Sequence, residues 1–283
     1  MIIGANTFGL KADLYRDFEG TLQRLKGIGF NAIEVCTIPD SQGMEPPADL
    51  SPEVLEALRN SPAAHIFWSF STAKKRIAKM REAGFVVDSV HVNLPKNGTE
   101  EKAETLAEEI LVFAKDTDIR YFVTSPMCGL SEMKERTPWL QLMAAKIRAG
   151  GCFLLMHNHA HECASEDGTS AIEYALEACP DLFAEPDAGW MVAGGMYPVP
   201  FMMVYAHRIL HLHLKDFFPG KTEADGDGRF SPIGEGVLPL REVLQASKCC
   251  NLSEYGLIID QDASLRDFIE DLRTGRENVL KLF

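Results

Sequence analysis

Six of the eight histidines in this chain fall in or just after short apolar runs, the exceptions being His65 and His207. One run reads Phe153-Leu154-Leu155-Met156-His157-Asn158-His159-Ala160-His161-Glu162. Side chains two apart on a strand share a face. Strand period therefore puts His157, His159 and His161 on one face, and Asn158 and Glu162 on the other. A second run ends Glu185-Pro186-Asp187-Ala188-Gly189-Trp190. A third places His211, His213 and Lys215 on one face, and a fourth ends Asp260-Gln261-Asp262. Neutral imidazole nitrogens and carboxylate oxygens together ligate a divalent cation such as Zn, Mn, Fe, Co or Mg. The same groups move protons once burial and a nearby cation tune their pKa values. Any one histidine can be a satisfied core residue. Burying the whole set to no purpose would cost stability through desolvation.

These residues need a scaffold that brings strand ends to one place. Eight short apolar runs alternate with segments of helical period: Ile2–Phe8, Ala32–Cys36, Val86–Val92, Tyr121–Ser125, Cys152–Asn158, Leu182–Asp187, Ile209–Asp216 and Gly256–Asp262. The segments between them include Leu14–Gly29, Ala73–Gly84, Glu101–Thr117 and Trp139–Ala149. Strands fed by intervening helices pair in parallel through right-handed crossovers. Eight such units in a chain of this length predict a single-domain α/β fold, a (β/α)8 TIM barrel over residues 1–283. A doubly wound sheet is the rival, but no GxGxxG follows the first strand. In a barrel, catalytic groups come from the C-terminal strand ends, where the polar residues fall here. Residues 38–71, rich in proline and holding the helical piece Pro52–Arg59, read as an enlarged βα loop over the barrel mouth or as surface decoration.

Composition narrows the partners. The chain has 283 residues, 46% of them hydrophobic, and its 41 acidic and 28 basic side chains give a net charge of -13. That balance argues against nucleic acid and anionic membranes as partners. No apolar run approaches the roughly 20 residues that span a bilayer, and the opening residues lack a secretion signal's basic and apolar regions. Seven cysteines without CxxC spacing fit buried thiols in a reducing compartment, so a cytoplasmic protein is expected. Asp225-Gly226-Asp227-Gly228 lacks the spacing and distant Glu of a calcium loop and reads as a mobile substrate loop. The run after the eighth strand, Asp260-Gln261-Asp262-Ala263-Ser264, has no glycine cradle and adds negative charge. An unphosphorylated sugar or polyol is expected there rather than a sugar phosphate.

At these residues the sequence resembles the sugar isomerase/epimerase-like superfamily of xylose-isomerase-like barrels, which also includes AP-endonuclease-like proteins. His157-Asn158-His159-Ala160-His161-Glu162 looks like the family's HNHDFEF, and Asp187-Ala188-Gly189-Trp190 like its DVGW. His213-Leu214-Lys215-Asp216 resembles HxKD, Ile233-Gly234-Glu235-Gly236 resembles VGEG, and Asp260-Gln261-Asp262 resembles EQD. The resemblance implies one divalent metal held by Asp187, His213 and Asp260. The family's strand-5 Glu falls on Met156 or His157, and its strand-8 Glu is shortened to Asp260. It further implies proton abstraction next to the carbonyl of a keto-sugar, polyol or sugar derivative. Glu162 or His157 would be the base and Lys215 the oxyanion partner. Glu34 and His159 would contact substrate, and Trp190 would offer a ring to a sugar face or fill the core. Isomerisation or epimerisation is the expected outcome. Elimination by a lyase or dehydratase is the alternative, as is a barrel that has lost catalysis and serves as a binding or partner subunit. The acidic charge speaks against a DNA-repair endonuclease. A homodimer is a further expectation of the resemblance.

Overall fold

The computed structural model describes residues 2–42, 61, 66–95 and 97–283. Each of the eight apolar runs marks a strand, the second extending two residues past its run: β1 (Gly4–Asn6), β2 (Ala32–Ile38), β3 (Ser89–Val92), β4 (Tyr121–Thr124), β5 (Phe153–His157), β6 (Leu182–Glu185), β7 (Leu212–Leu214) and β8 (Leu257–Ile259). They pair in parallel in the spatial order β7-β8-β1-β2-β3-β4-β5-β6. Parallel bridges Ala184↔Ile209 and Asp187↔His213 join β6 to β7, and His213 N–H donates to Pro186 O at 2.9 Å. The result is a nearly closed barrel of eight strands with alternating helices, the TIM barrel expected.

Among the described residues the helices are α1 (Lys11–Arg16), α2 (Phe18–Gly27), α3 (Phe70–Glu82), α4 (Glu100–Thr117), α5 (Leu130–Ala149), α6 (Ala160–Cys163), α7 (Ala171–Ala178), α8 (Ala188–Ala193), α9 (Pro198–Val204), α10 (Leu240–Ser247) and α11 (Phe268–Leu280). Side-chain caps start several of them. Asp17, Ser69, Thr99, Ser170 and Asp267 each accept a backbone N–H of the following first turn. Asp17 also divides the expected Leu14–Gly29 helix into α1 and α2. Helix α5 starts nine residues before the expected Trp139, with Pro138 inside it. Proline there removes one backbone donor. The buried stripe Leu130, Met133, Thr137 and Leu140 carries the helix through.

The strands' outward side chains build the apolar core. Ile33, Val35, Val90, Phe122, Leu154, Met156, Leu182, Leu212 and Ile259 join one cluster with the helices' inner faces. Strand period turns their neighbours inward, and many of these are polar: Asn6, Glu34, Ser89, His157, Glu185, His211 and His213 are all buried. An aromatic floor of Tyr121, Phe153 and Phe183 lies at the other end, with Tyr121 and Phe153 rings 5.5 Å apart. Within the expected 38–71 loop, Asp40–Gln42 forms a 3-10 turn and Trp68–Ser69 adds a short strand to β2. The expected Pro52–Arg59 helix and His65 lie outside the described residues. Among the described residues no helix is long and apolar enough to cross a membrane.

Candidate metal centre and cavity

The barrel's open end carries a cavity of about 240 Å³. Its polar wall holds His91, His157, His159, Lys215, Asp260 and Asp262; Phe8, Phe67, Met127 and Val92 form an apolar side. Beneath it, His157, Asp187, His213 and Asp260 each bring one nitrogen or oxygen to within 4.8 Å of all the others, and all four are buried. They arrive from the ends of β5, β6, β7 and β8. The open question of register on β5 has a clear outcome. Met156 pairs with Ala184 and packs in the outer apolar core, whereas His157 pairs with Glu185 and belongs to the interior set.

Local structure accounts for the aim of Asp187. It caps α8, with its Oδ1 accepting Trp190 N–H at 2.8 Å. Asn158 clamps the same residue from β5, donating to Asp187 O at 3.2 Å and accepting its N–H at 3.0 Å. Gly189 lets α8 lie on β7, because a Cβ there would stand 2.1 Å from Lys215 O. The cap leaves Asp187 Oδ2 buried with no hydrogen-bond partner, as are Asp260 Oδ1 and His157 Nδ1. Buried polar atoms are rarely left unpaired. Two carboxylate oxygens and an imidazole nitrogen in want of a partner, in a mixed N/O set, suit a divalent cation of the Zn, Mn, Fe or Co type.

Electrostatics in the cup are strongly coupled. Burial pushes the Asp187 carboxyl up to about 7, with the Asp260 charge adding to the rise and Lys215 opposing it. Burial would likewise raise Asp260, but Lys215 and His213 hold it well below the usual carboxylate range. Lys215 donates to Asp260 at 2.9 Å and to Asp262 at 2.6 Å, and lies 3.6 Å from Asp187 Oδ2. Burial alone would lower its pKa, yet these carboxylates keep it charged and above its ordinary value. Burial takes His157 down to about 4 and holds His159 well below its ordinary value. Both imidazoles are therefore neutral.

A second polar layer lies deeper. Glu34 and Glu185, both essentially inaccessible, face His91, His211 and His213. His91 Nε2 is 2.8 Å from Glu185 and 3.2 Å from Glu34. His211 Nδ1 is 2.9 Å from Glu185, and His213 Nε2 is 2.8 Å from Glu34 and 2.9 Å from Glu185. Burial would lower His91 and His211, but the two glutamates outweigh it and lift both to about 9.

The sequence-nominated residues thus divide. Asp187, His213, Asp260, His157, Lys215 and His159 converge on the cavity or its floor. Glu34 sits mid-strand on β2, below the cavity and away from its wall. Trp190 packs behind His159, 5.5 Å between rings, in an apolar cluster with Phe217 and Phe230. Glu162 lies in α6 rather than on a continued strand. Its two oxygens accept the backbone N–H groups of Cys128 and His159, both at 2.8 Å, so it ties the loop after β4 to the loop after β5. The same turn leaves His161 exposed, so the strand alternation read across residues 157–162 stops at His157. Sequence reasoning passed over Glu185 and His91. Each carried a usable signal, an ionisable residue two positions from another polar one on a buried strand: Glu185 before Asp187, and His91 after Ser89.

The protein is thus a parallel eight-stranded barrel with imidazoles and carboxylates gathered at its C-terminal mouth. The chain belongs to the family described as xylose isomerase-like TIM barrel, which it matches over residues 22–259. No curated protein matches it in sequence. Among solved structures, it is similar to a sugar phosphate isomerase/epimerase from Parabacteroides distasonis (18% identity, TM-score 0.70, covering 97% of this chain and 92% of that one). It is also similar to the IolI protein with a bound zinc atom (14%, 0.66, 100% and 99%). A third is the probable 3-DHS dehydratase AsbF of Bacillus anthracis, involved in petrobactin synthesis (13%, 0.66, 99% and 99%). At these identities the likeness establishes the shared fold.

Proposed function

We propose that this barrel is a sugar isomerase or epimerase that moves a proton next to the carbonyl of an unphosphorylated keto-sugar or polyol-derived ketone. His157, Asp187, His213 and Asp260 would hold a divalent cation. The observation that carries the reading is the buried N/O quartet with two carboxylate oxygens and one imidazole nitrogen unpaired. A cation bound there supplies Lewis acidity toward a substrate oxygen and lowers the cost of a developing negative charge.

The chain's own residues supply the rest. Lys215 is held charged at the cavity wall and donates toward a developing oxyanion. His159 lines the cavity and is neutral. We assign it the proton-acceptor role, because His157 stands in the cation set and both Glu162 oxygens are engaged by backbone. Glu162 then places His159 through that residue's own N–H. Lys215 and His91 are the cations among the described residues lining the cavity, and carboxylates already accept from both. A phosphate would meet Asp260 and Asp262 with no free positive partner, which favours the neutral substrate.

Proton NMR in deuterated water, with zinc-, manganese- or cobalt-loaded protein and a panel of keto-hexoses, tests the reading. The expected result is deuterium on the carbon next to the carbonyl with the carbon skeleton intact. Loss of water or of an aglycone would make it a lyase. Preference for a sugar phosphate over its free sugar would overturn the substrate assignment. No exchange on any substrate with the cation bound would overturn the isomerase reading.

A further inference from the structure

His213 has to offer one ring nitrogen to the cup, and which one is free depends on where its proton sits. Its Nδ1 lies 3.1 Å from Asp260 Oδ2, on the side of the quartet. Its Nε2 points the opposite way, into the deep layer, 2.8 Å from Glu34 Oε1 and 2.9 Å from Glu185 Oε1. Two carboxylates on Nε2 keep a proton there, and the Nδ1 lone pair is then the one available to a cation.

We propose that Glu34 and Glu185 are positioning residues of the cation site: they fix the tautomer and ring orientation of His213 and raise its donor strength. This rests on the divalent-cation reading of the quartet. The deep carboxylates are not ligands themselves, because donors already occupy them. Glu34 Oε1 accepts from Asn6 Nδ2 at 2.8 Å as well as from His213, and its Oε2 accepts from Ser89 Oγ at 2.8 Å. Glu185 Oε1 and Oε2 accept from His91 at 2.8 Å and His211 at 2.9 Å. An ion placed among these N–H and O–H hydrogens would be repelled by them. The donors come from β1, β3 and the residue preceding β7, so both carboxylates are braced from several strands. A carboxylate behind a ligating histidine is a recurrent arrangement, and its loss weakens metal binding about 10- to 100-fold. A glutamine in its place can also present its NH2 to Nε2. The His213 proton would then move to Nδ1 and block the ion.

Zinc affinity, measured by competition with a chromophoric chelator on the full chain, tests this. Wild type, Glu34→Gln, Glu185→Gln and Asp187→Ala are compared, with cobalt absorption spectra of each. One ion per wild-type chain is expected. Each Gln variant should bind about 10- to 100-fold more weakly, with shifted cobalt bands. Wild-type affinity and spectrum in both Gln variants, with Asp187→Ala disabled, overturn this inference alone. Wild-type affinity in Asp187→Ala overturns the cation reading and the inference with it. Two ions per wild-type chain, one of them lost in the Gln variants, would make the glutamates ligands and also overturn it. Should a Gln variant fail to fold, nitrogen-15 shifts of His213 in the zinc-loaded wild type decide. The expected proton is on Nε2, and a proton on Nδ1 refutes the proposal.

Discussion

Replacing Asp187 with Asn separates the two jobs of that side chain. Asp187 Oδ1 caps α8 and Oδ2 faces the cup. Asparagine caps as well as aspartate, so Asp187→Asn keeps the helix start while removing the anionic oxygen. Asp187→Ala removes both, and a lost cap costs about 1 kcal/mol. A ligand at 1,000 times its Kd stabilises the folded state by about 4 kcal/mol. With an unfolding entropy of about 2.1 cal/mol/K per residue over 283 residues, that is a rise in Tm of about 7 °C. Thermal unfolding with saturating zinc and with chelator should show that rise in wild type and neither variant. With chelator at pH 8, Asp187→Asn should melt above wild type, and Asp187→Ala about 2 °C below Asp187→Asn. The sign follows from linkage. The folded carboxyl titrates near 7 against about 3.9 unfolded. Its stability contribution is therefore full below about pH 4 and is lost as pH rises through 7, a loss the neutral amide avoids. The gap between Asp187→Asn and wild type should close from pH 8 toward pH 4.5. An equal zinc shift in wild type and Asp187→Asn, or a constant gap across pH, would refute this account.

Lys215→Met should lower the rate of substrate deuterium exchange by at least about 100-fold. It should also destabilise the protein by about 3 to 5 kcal/mol in chelator, since Asp260 and Asp262 would lose their buried partner; exchange at the wild-type rate would show that Lys215 does not serve the oxyanion. Among the cysteines, Cys249 is exposed, whereas Cys36 lines the cavity wall and its burial, with Asp260 and Glu34 nearby, pushes its thiol far above the ordinary range. Iodoacetamide at pH 8 should therefore alkylate Cys249 well before Cys36, as read by peptide mass spectrometry, and the reverse order would contradict the neutral-thiol assignment.

The barrel was legible because parallel strands covered by helices carry apolar side chains facing outward, and that pattern survives in sequence as eight runs. Helix boundaries were less legible where packing outweighs local preference, as at Pro138, which lies inside α5 just before the expected start at Trp139. The cup was partly legible. Asp187, His213, Lys215 and Asp260 stand at strand ends, where period two identifies a face. Glu162 misled because strand period was continued past His157. His159 takes an extended N-cap conformation, and α6 then turns Glu162 back onto backbone N–H groups. Glu34 and Glu185 were hardest. Their partners come from strands distant in sequence, with Glu34 and His213 179 positions apart, and no local spacing encodes that contact.

Why the chain tolerates so polar a barrel interior follows from how the charges are arranged. In the deep layer, Glu34 and Glu185 alternate with His91, His211 and His213, so each buried carboxylate faces imidazoles that it holds protonated. Above it, Lys215 serves Asp260 and Asp262. In the quartet, Asp187 Oδ2, Asp260 Oδ1 and His157 Nδ1 remain without a hydrogen-bond partner. Isolated buried charges are expelled or neutralised by shifts in pKa, and Asp187, pushed up to about 7, shows that pressure. A divalent cation at the quartet would relieve it at both carboxylates and displace the Nδ1 proton of His213 that faces Asp260, leaving the Nε2 proton that the deep glutamates hold. Zinc uptake should therefore release protons and tighten as pH rises, and the charge left unbalanced in the cup would be the driving force for binding.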